Sequence, residues 1–212
     1  TLGIQYMRGL QDNGIMACAK HFPGHGDTDM DSHKDMPEIN KSYAALEDLE
    51  LYPFKKLIDN GLQSAMVAHL HIPAIDNQKN IPSTLSYKTV SDLLKGKMGF
   101  NGLVFTDALN MEGVAKYYEP GDIDLKAFKA GNDILLFSQD VKAGMQKIKS
   151  AVLADSLLKK QLDETVKKIL NAKYNAGLHT PQVIKTDSID NDLNQYTYPS
   201  KSNCLSCHYI TQ

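Results

Sequence analysis

Four times along the chain, a glycine introduces a short apolar run that ends in polar or charged residues. The runs lie within GIMACAKHF, GLQSAMVAHLH, GLVFTD and GNDILLFSQD. Between them, apolar residues recur at the three- and four-residue spacing of amphipathic helices. Short apolar strands alternating with helices indicate βαβ units and a parallel sheet that is buried on both faces. We therefore predict an α/β fold with strands at Ile15–Ala19, Ala65–Ala68, Leu103–Phe105 and Ile134–Phe137.

The number of these units sets the expected architecture. A complete (β/α)8 TIM barrel has eight strands and about 200 to 250 residues. The sequence has 212 residues, 42% of them hydrophobic, and shows four strand patterns. We therefore expect half of such a barrel, about four β/α units, over residues 1–180. Residues 181–212 have little periodicity and many Asn, Asp, Ser and Thr residues, so we expect a linker or irregular tail there.

Charge and composition limit the classes of partner that we expect the protein to bind. The net charge is −2, which gives no basic field for nucleic acid and no polybasic run for an anionic membrane. No apolar run has the length of a transmembrane helix. The chain opens on TLGIQYMRGLQDNG, which has the pattern of a helix already under way, so we expect a longer parent protein and leave its compartment open. Cys18 lies within an apolar run and is predicted to be a buried structural thiol.

Three residues follow predicted strands closely enough to reach the carboxyl edge of the sheet, where α/β proteins build their active sites. Lys20 and His21 follow the first strand, and both side chains donate hydrogen bonds of the kind a polyol substrate accepts. Asp107 follows GLVFT directly. A carboxylate at that position suits a nucleophile or a metal ligand, but Asp is also a favoured helix N-cap for the segment that begins ALNMEG.

A second candidate pair lies in the polar stretch that follows the first strand. Asp31 and His33 are two residues apart in the segment DTDMDSHKDMP. A carboxylate beside an imidazole raises the pKa of the imidazole and favours its protonated form. The pair is therefore a candidate general acid, although an isolated D-x-H can also be an incidental feature of a polar loop.

Two further patterns offer metal or haem chemistry. His69 and His71 form an H-x-H after the second strand and, with His21 and an aspartate, could supply zinc ligands. This makes a metal-dependent TIM-barrel hydrolase an alternative, although no H-E-x-x-H motif organises the histidines. The last residues contain C-x-x-C-H, the c-type haem attachment pattern, at Cys204, Cys207 and His208. No surrounding haem domain is evident, so a chance match is the preferred interpretation.

Taken in order, these blocks resemble a known family. The segments KHFPGHGDTDMDSHKDMP, SAMVAHLHIPAID, IPSTLS, LLKGKMGFNGLVFTDALNMEGV and AGNDILL resemble glycoside hydrolase family 3, and within it the bacterial β-N-acetylhexosaminidase branch. The resemblance runs over about residues 1–177. The K-H-F-P-G-H-G-D-T…D-S-H block and the T-D-A-L-N-M block are together highly specific.

The resemblance implies the C-terminal half of a (β/α)8 barrel, whose missing N-terminal half is expected in the parent protein. It also implies roles for individual residues: Asp107 as the nucleophile, His33 as the acid/base with Asp31 as its partner, and Lys20 and His21 as contacts to sugar hydroxyls. No metal or cofactor is implied.

The implied reaction is retaining hydrolysis of terminal, non-reducing β-linked N-acetylglucosamine. The expected carbohydrate substrates are peptidoglycan fragments or chitooligosaccharides. Two alternatives within the family stay open, a β-glucosidase and a glycoside phosphorylase, because phosphate can replace water in the second step.

Overall fold

The computed structural model describes residues 2–26 and 36–180, together with Asp187 and Ile189. The chain divides into two compact units, residues 1–176 and 177–212. The first unit contains four strands, β1 (Cys18–Phe22), β2 (Ser64–Val67), β3 (Leu103–Ala108) and β4 (Ile134–Leu136). Its helices are α1 (Leu2–Gln11), α2 (Tyr43–Asp48), α3 (Leu51–Ile58), a π-helix (Lys88–Lys97), α4 (Glu112–Ala115), α5 (Asp122–Ala130), α6 (Val141–Ala154) and α7 (Ser156–Asn175), and a 3₁₀ turn covers Ser83–Leu85.

The four strands form one parallel sheet in the order β1-β2-β3-β4. Sequential strands that are neighbours and parallel, with helices in each connection, are the arrangement of successive units in a (β/α)8 barrel. This confirms the predicted α/β class and the four β/α units. None of the helices in the described part of the chain has the length and hydropathy required to span a membrane.

Strand β1 begins three residues later than predicted. Pairing with β2 starts at Cys18 opposite Ser64, whereas Ile15 lies before the ladder and is 57% exposed. An apolar run in the sequence indicates burial but does not show where backbone pairing begins. The predicted strand therefore started too early in the chain. The prediction for Cys18 is also wrong, because its side chain is exposed while the next residue, Ala19, is buried.

The continuous helical pattern SYAALEDLELYPFKKL forms two helices. Ser42 caps α2, its side-chain oxygen accepting a hydrogen bond from the Ala45 N–H at 3.3 Å. The chain breaks after α2 and restarts as α3, with Pro53 in its first turn. Proline has no N–H, and it is tolerated in a first turn, where a donor would have no intrahelical partner. The break leaves Glu50 at the junction between the two helices.

The core lies between the sheet and its helices. The fully buried side chains on this layer include Phe22, Val67, Leu94 and Val104. A smaller apolar cluster surrounds Leu109 and extends to α5. The first cluster buries one face of the strands, whereas Cys18 and Lys20 on the other face are exposed and Met66 and Phe105 are only partly buried. The expectation of a sheet buried on both faces is therefore met on one face only.

Candidate active site

Lys20 and His21 lie within β1, near its carboxyl end, and not after it as predicted. Strict alternation would bury His21 along with Ala19. Between Ala19 and Phe22 the register with β2 shifts by one residue, since these two pair with Ala65 and Val67. An extra residue of this kind redirects side chains. Lys20 is exposed, as alternation from Ala19 requires, and the extra residue leaves His21 only partly buried.

The environment of His21 keeps its ring neutral. Burial lowers the pKa of His21, and the positive charge of Lys20 and the neighbouring His25 lower it further, whereas the charge of Asp107 acts in the opposite direction. The ring centroids of His21 and His25 are 6.0 Å apart with an interplanar angle of 67°. A neutral imidazole has one N–H donor and one acceptor nitrogen, so it can pair with a hydroxyl group in either sense.

Asp107 lies near the end of β3 and is partly exposed. The Ala108 N–H donates a hydrogen bond to Asp107 Oδ1 at 2.8 Å. The helix that follows, α4, begins at Glu112 with Met111 at its N-cap position and no side-chain cap. The alternative reading of Asp107 as a helix N-cap is therefore wrong, and its carboxylate is available at the sheet edge.

The structure thus brings three of the five predicted site residues to one edge of one sheet. Lys20 and His21 approach it on β1, and Asp107 approaches it on β3, with β2 between them. The negative charge of Asp107 raises the pKa of His21, against the larger lowering caused by burial. Asp31 and His33 lie outside the described residues, as do Cys204, Cys207 and His208 of the C-x-x-C-H motif.

The two described ends of the segment that carries Asp31 and His33 are nevertheless fixed. It leaves β1 through Pro23 and Gly24. On its return, the backbone of Ile39 and Pro37 pairs with His71, which donates to the Pro37 carbonyl and accepts from the Ile39 N–H, both at 2.9 Å. His71 follows β2, so the segment starts and ends at the same edge of the sheet as Asp107.

His69 and His71 do not form a metal pair. Strand β2 ends at Val67, so strand alternation does not extend to them. The ring of His69 is fully occupied, with Nδ1 2.8 Å from Thr84 Oγ1 and Nε2 3.0 Å from the Ala108 carbonyl. Within residues 2–26 and 36–180, no group of three or more His, Cys, Asp or Glu side chains is arranged to hold a metal ion.

The sequence did not indicate Thr84 as a partner of His69, and it suggested a metal-ligand role for His69 where the structure shows a buried, hydrogen-bonded ring. Thr84 is completely buried in the 3₁₀ turn, and its hydroxyl also lies 2.6 Å from the Ala68 carbonyl. The segment IPSTLS was part of the family resemblance, but no pattern within it indicated a buried hydroxyl beside a histidine. A partner brought by tertiary packing from fifteen residues away leaves no local signal.

With this geometry in place, comparison with known proteins identifies the family. The model described as "Glycosyl hydrolase family 3 N terminal domain" matches residues 1–172. The chain belongs to glycosyl hydrolase family 3. This confirms the resemblance on which the (β/α)8 barrel was predicted.

Three similar proteins illustrate the match. A curated "Beta-hexosaminidase" of Chromobacterium violaceum is 40% identical over 139 residues. The solved glycoside hydrolase family 3 beta-N-acetylglucosaminidase of Paenibacillus sp. str. FPU-7 is 35% identical, with a TM-score of 0.82 over 88% of this chain. The solved "Beta-glucoside phosphorylase BglX" is 26% identical, with a TM-score of 0.77 over 84% of this chain.

The chain spans only about a third of the length of each of these three proteins. The matched part covers 64% of this chain but 37% of the Chromobacterium protein. It covers 36% of the Paenibacillus chain and 34% of the phosphorylase chain.

Proposed function

We propose that the chain carries the reacting groups of a retaining β-N-acetylhexosaminidase that removes terminal, non-reducing β-linked N-acetylglucosamine. The observation that carries this proposal is the placement of Asp107 and the Lys20–His21 pair at one carboxyl edge of a parallel sheet, where the charge of Asp107 acts on His21. The relatives named as hexosaminidases support the choice of sugar.

In the first step, Asp107 attacks the anomeric carbon. The bond between that carbon and the leaving oxygen breaks as an ester bond to Asp107 forms, and protonated His33 gives its proton to the leaving oxygen. The hydrogen bond from the Ala108 N–H occupies Oδ1 of Asp107 and fixes the orientation of the carboxylate. The other carboxylate oxygen, Oδ2, is thereby the attacking atom in this proposal.

In the second step, neutral His33 takes a proton from water as the oxygen of that water attacks the same carbon. The ester bond breaks, Asp107 leaves as a carboxylate, and the sugar is released with its original stereochemistry. Asp31 favours the protonated form of His33 that the next cycle requires. Proton transfer by a positioned side chain contributes roughly 10²–10⁴-fold to the rate.

Lys20 and His21 hold the sugar for attack. The exposed ammonium of Lys20 donates hydrogen bonds to hydroxyl oxygens, and neutral His21 can donate and accept. Both side chains lie on β1, while the attacking carboxylate lies two strands away on β3, so the sugar ring would span β2. Such positioning of the reacting carbon is itself a substantial part of catalysis.

The decisive experiment replaces Asp107 in the full-length protein that contains this chain, with a β-N-acetylglucosaminide of an aryl alcohol as substrate. Asp107→Ala is expected to lower kcat by roughly 10⁴-fold or more, since the covalent route is lost. Asp163→Ala is the matched control, because Asp163 is exposed on α7. Mass spectrometry with a slowly hydrolysed 5-fluoro analogue that keeps the 2-acetamido group should find the adduct on the Asp107 peptide. An adduct elsewhere, or an unchanged rate, would refute the proposal.

A second candidate, phosphorolysis, is favoured by the similarity to a solved β-glucoside phosphorylase. A histidine acid/base repels phosphate less than a carboxylate does, so the same residues could release a sugar 1-phosphate. Turnover measured with and without inorganic phosphate, with the products separated, distinguishes the two. A sugar 1-phosphate as main product would favour phosphorolysis, and free sugar at an unchanged rate would favour hydrolysis.

A further inference from the structure

His69 links the 3₁₀ turn to the end of β3, the strand that carries Asp107. Its side chain is 1% exposed. On one side, Nδ1 lies 2.8 Å from Thr84 Oγ1 in the 3₁₀ turn. On the other side, Nε2 lies 3.0 Å from the carbonyl oxygen of Ala108, the last residue of β3. A buried polar ring with both nitrogens engaged is held in one orientation.

Ala108 connects His69 to Asp107. Its N–H donates to Asp107 Oδ1, and its carbonyl accepts from the ring of His69. The next N–H, that of Leu109, donates to the Leu136 carbonyl at 2.9 Å. The peptide group between Ala108 and Leu109 is therefore held at both its oxygen and its nitrogen. The Ala108 N–H that orients the carboxylate of Asp107 belongs to the preceding peptide group, which shares the Cα of Ala108 with the held one. A displacement of the held peptide would therefore move that N–H through the common Cα.

The partners assign the tautomer of His69. A carbonyl oxygen only accepts, so Nε2 must carry the proton that binds Ala108. Burial lowers the pKa of His69, against the opposing effects of the Ala108 carbonyl and the Asp107 charge, so the ring is neutral and Nδ1 accepts. The Thr84 hydroxyl is then its donor, and the single proton of that hydroxyl is shared between His69 Nδ1 and the Ala68 carbonyl, to which it donates at 2.6 Å.

We infer that His69 is a positioning residue for Asp107, acting through the hydrogen bond from its Nε2–H to the Ala108 carbonyl. The inference rests on the proposed role of Asp107 as nucleophile. His69 does not touch the substrate in this proposal. It fixes the backbone whose neighbouring N–H sets the direction of the attacking carboxylate, and a misplacement of about 1 Å at a reacting group can cost about 10²-fold in rate.

Two amide substitutions at His69 test the inference in the full-length protein. His69→Gln places an amide N–H near the position of Nε2 and keeps the donor to Ala108. His69→Asn is as polar but too short, so its amide reaches only toward Thr84. We expect His69→Asn to lower kcat by up to about 10²-fold with little change in KM, and His69→Gln to recover most of that loss. Equal kcat values for the two variants would overturn the inference.

A spectroscopic measurement makes the test independent of turnover. Nitrogen NMR of the imidazole should show a neutral ring protonated at Nε2 for His69, and a ring protonated at Nδ1 would overturn the inference. Asp107→Asn, assayed in parallel, separates this inference from the proposed function. If Asp107→Asn abolishes turnover and His69→Asn does not lower it, only the role of His69 fails. If Asp107→Asn retains full turnover, the proposed function fails as well.

Discussion

Asp133 Oδ2 lies 2.8 Å from Nζ of Lys168, and this contact ties the start of β4 to the last long helix, α7. The Asp133 side chain is 1% exposed. The other carboxylate oxygen, Oδ1, lies 3.3 Å from Lys95 Nζ, and the Val104 N–H donates to Oδ2 at 2.8 Å. The cluster lies at the amino edge of the sheet, opposite Asp107. In barrel proteins that edge serves stability while the carboxyl edge serves catalysis.

Asp133→Asn should destabilise the protein strongly. It keeps the shape of the side chain but removes the charge that compensates two partly buried lysines. Breaking one side of a buried ion pair costs about 3–5 kcal/mol. Chemical denaturation should therefore show a loss of that order. Asp163→Asn on exposed α7 is the control, for which about 0–1 kcal/mol is expected. Similar losses in the two variants would show that the Asp133 cluster is not a stabilising centre.

Stability should fall as the pH decreases below about 6.5, the usual pKa of an unfolded histidine. Burial lowers the pKa of His69 in the folded protein, so between the two pKa values the unfolded chain binds more protons than the folded one. The free energy of unfolding therefore rises with pH through this window. The contribution of His69 to it is lost as the pH falls toward the pKa of the folded state. Burial lowers the pKa of His21 as well, so His21 adds to the effect.

The contribution of His69 can be isolated with His69→Gln, which does not titrate. Denaturation curves recorded between about pH 5 and 8 should show a shallower dependence in this variant than in the unmodified protein. The same slope in both would mean that His69 does not titrate differently in the two states.

Asp31→Asn should shift the pH profile of the proposed hydrolase. In the proposed mechanism the carboxylate of Asp31 raises the pKa of His33, and the first step needs His33 protonated. Removal of that charge lowers the pKa of His33, so the alkaline limb of kcat/KM should move to lower pH. His33→Ala should cost roughly 10²–10⁴-fold with a poor leaving group and less with an acidic phenol, which needs less protonation. An unmoved alkaline limb would contradict the pairing of Asp31 with His33.

The fold was predictable because apolar runs and helical spacing are local properties of the sequence. Strands β2, β3 and β4 therefore lie close to their predicted positions, and Asp107 could be placed from the end of one apolar run. The exposure of Cys18 and the extra residue in β1 depend on the pairing register with β2, which the pattern does not encode. The contact between His69 and Thr84 likewise depends on how the 3₁₀ turn packs against the end of β2.

Gly24→Ala should perturb the start of the segment that carries Asp31 and His33. Gly24 has a φ of +138°, and a Cβ at this position would lie 2.6 Å from Cβ and 2.8 Å from Cγ of Glu50. Glu50 has little room to move, because its side chain is buried and its Oε1 lies 2.6 Å from Lys41 Nζ. Backbone strain at such positions costs about 1–3 kcal/mol, and we expect a loss of stability of at least that size.

Gly26→Ala is the matched control, since none of the residues that the structure describes has an atom within 4 Å of a Cβ added at Gly26. A surface change of this kind should alter stability by no more than about 0.5 kcal/mol. Thermal unfolding and kcat should be measured together, because displacement at Gly24 is expected to move the proposed acid/base along with the backbone. If the Gly24→Ala and Gly26→Ala proteins have the same unfolding temperature and the same kcat, the contact with Glu50 does not fix the position of the backbone at Gly24.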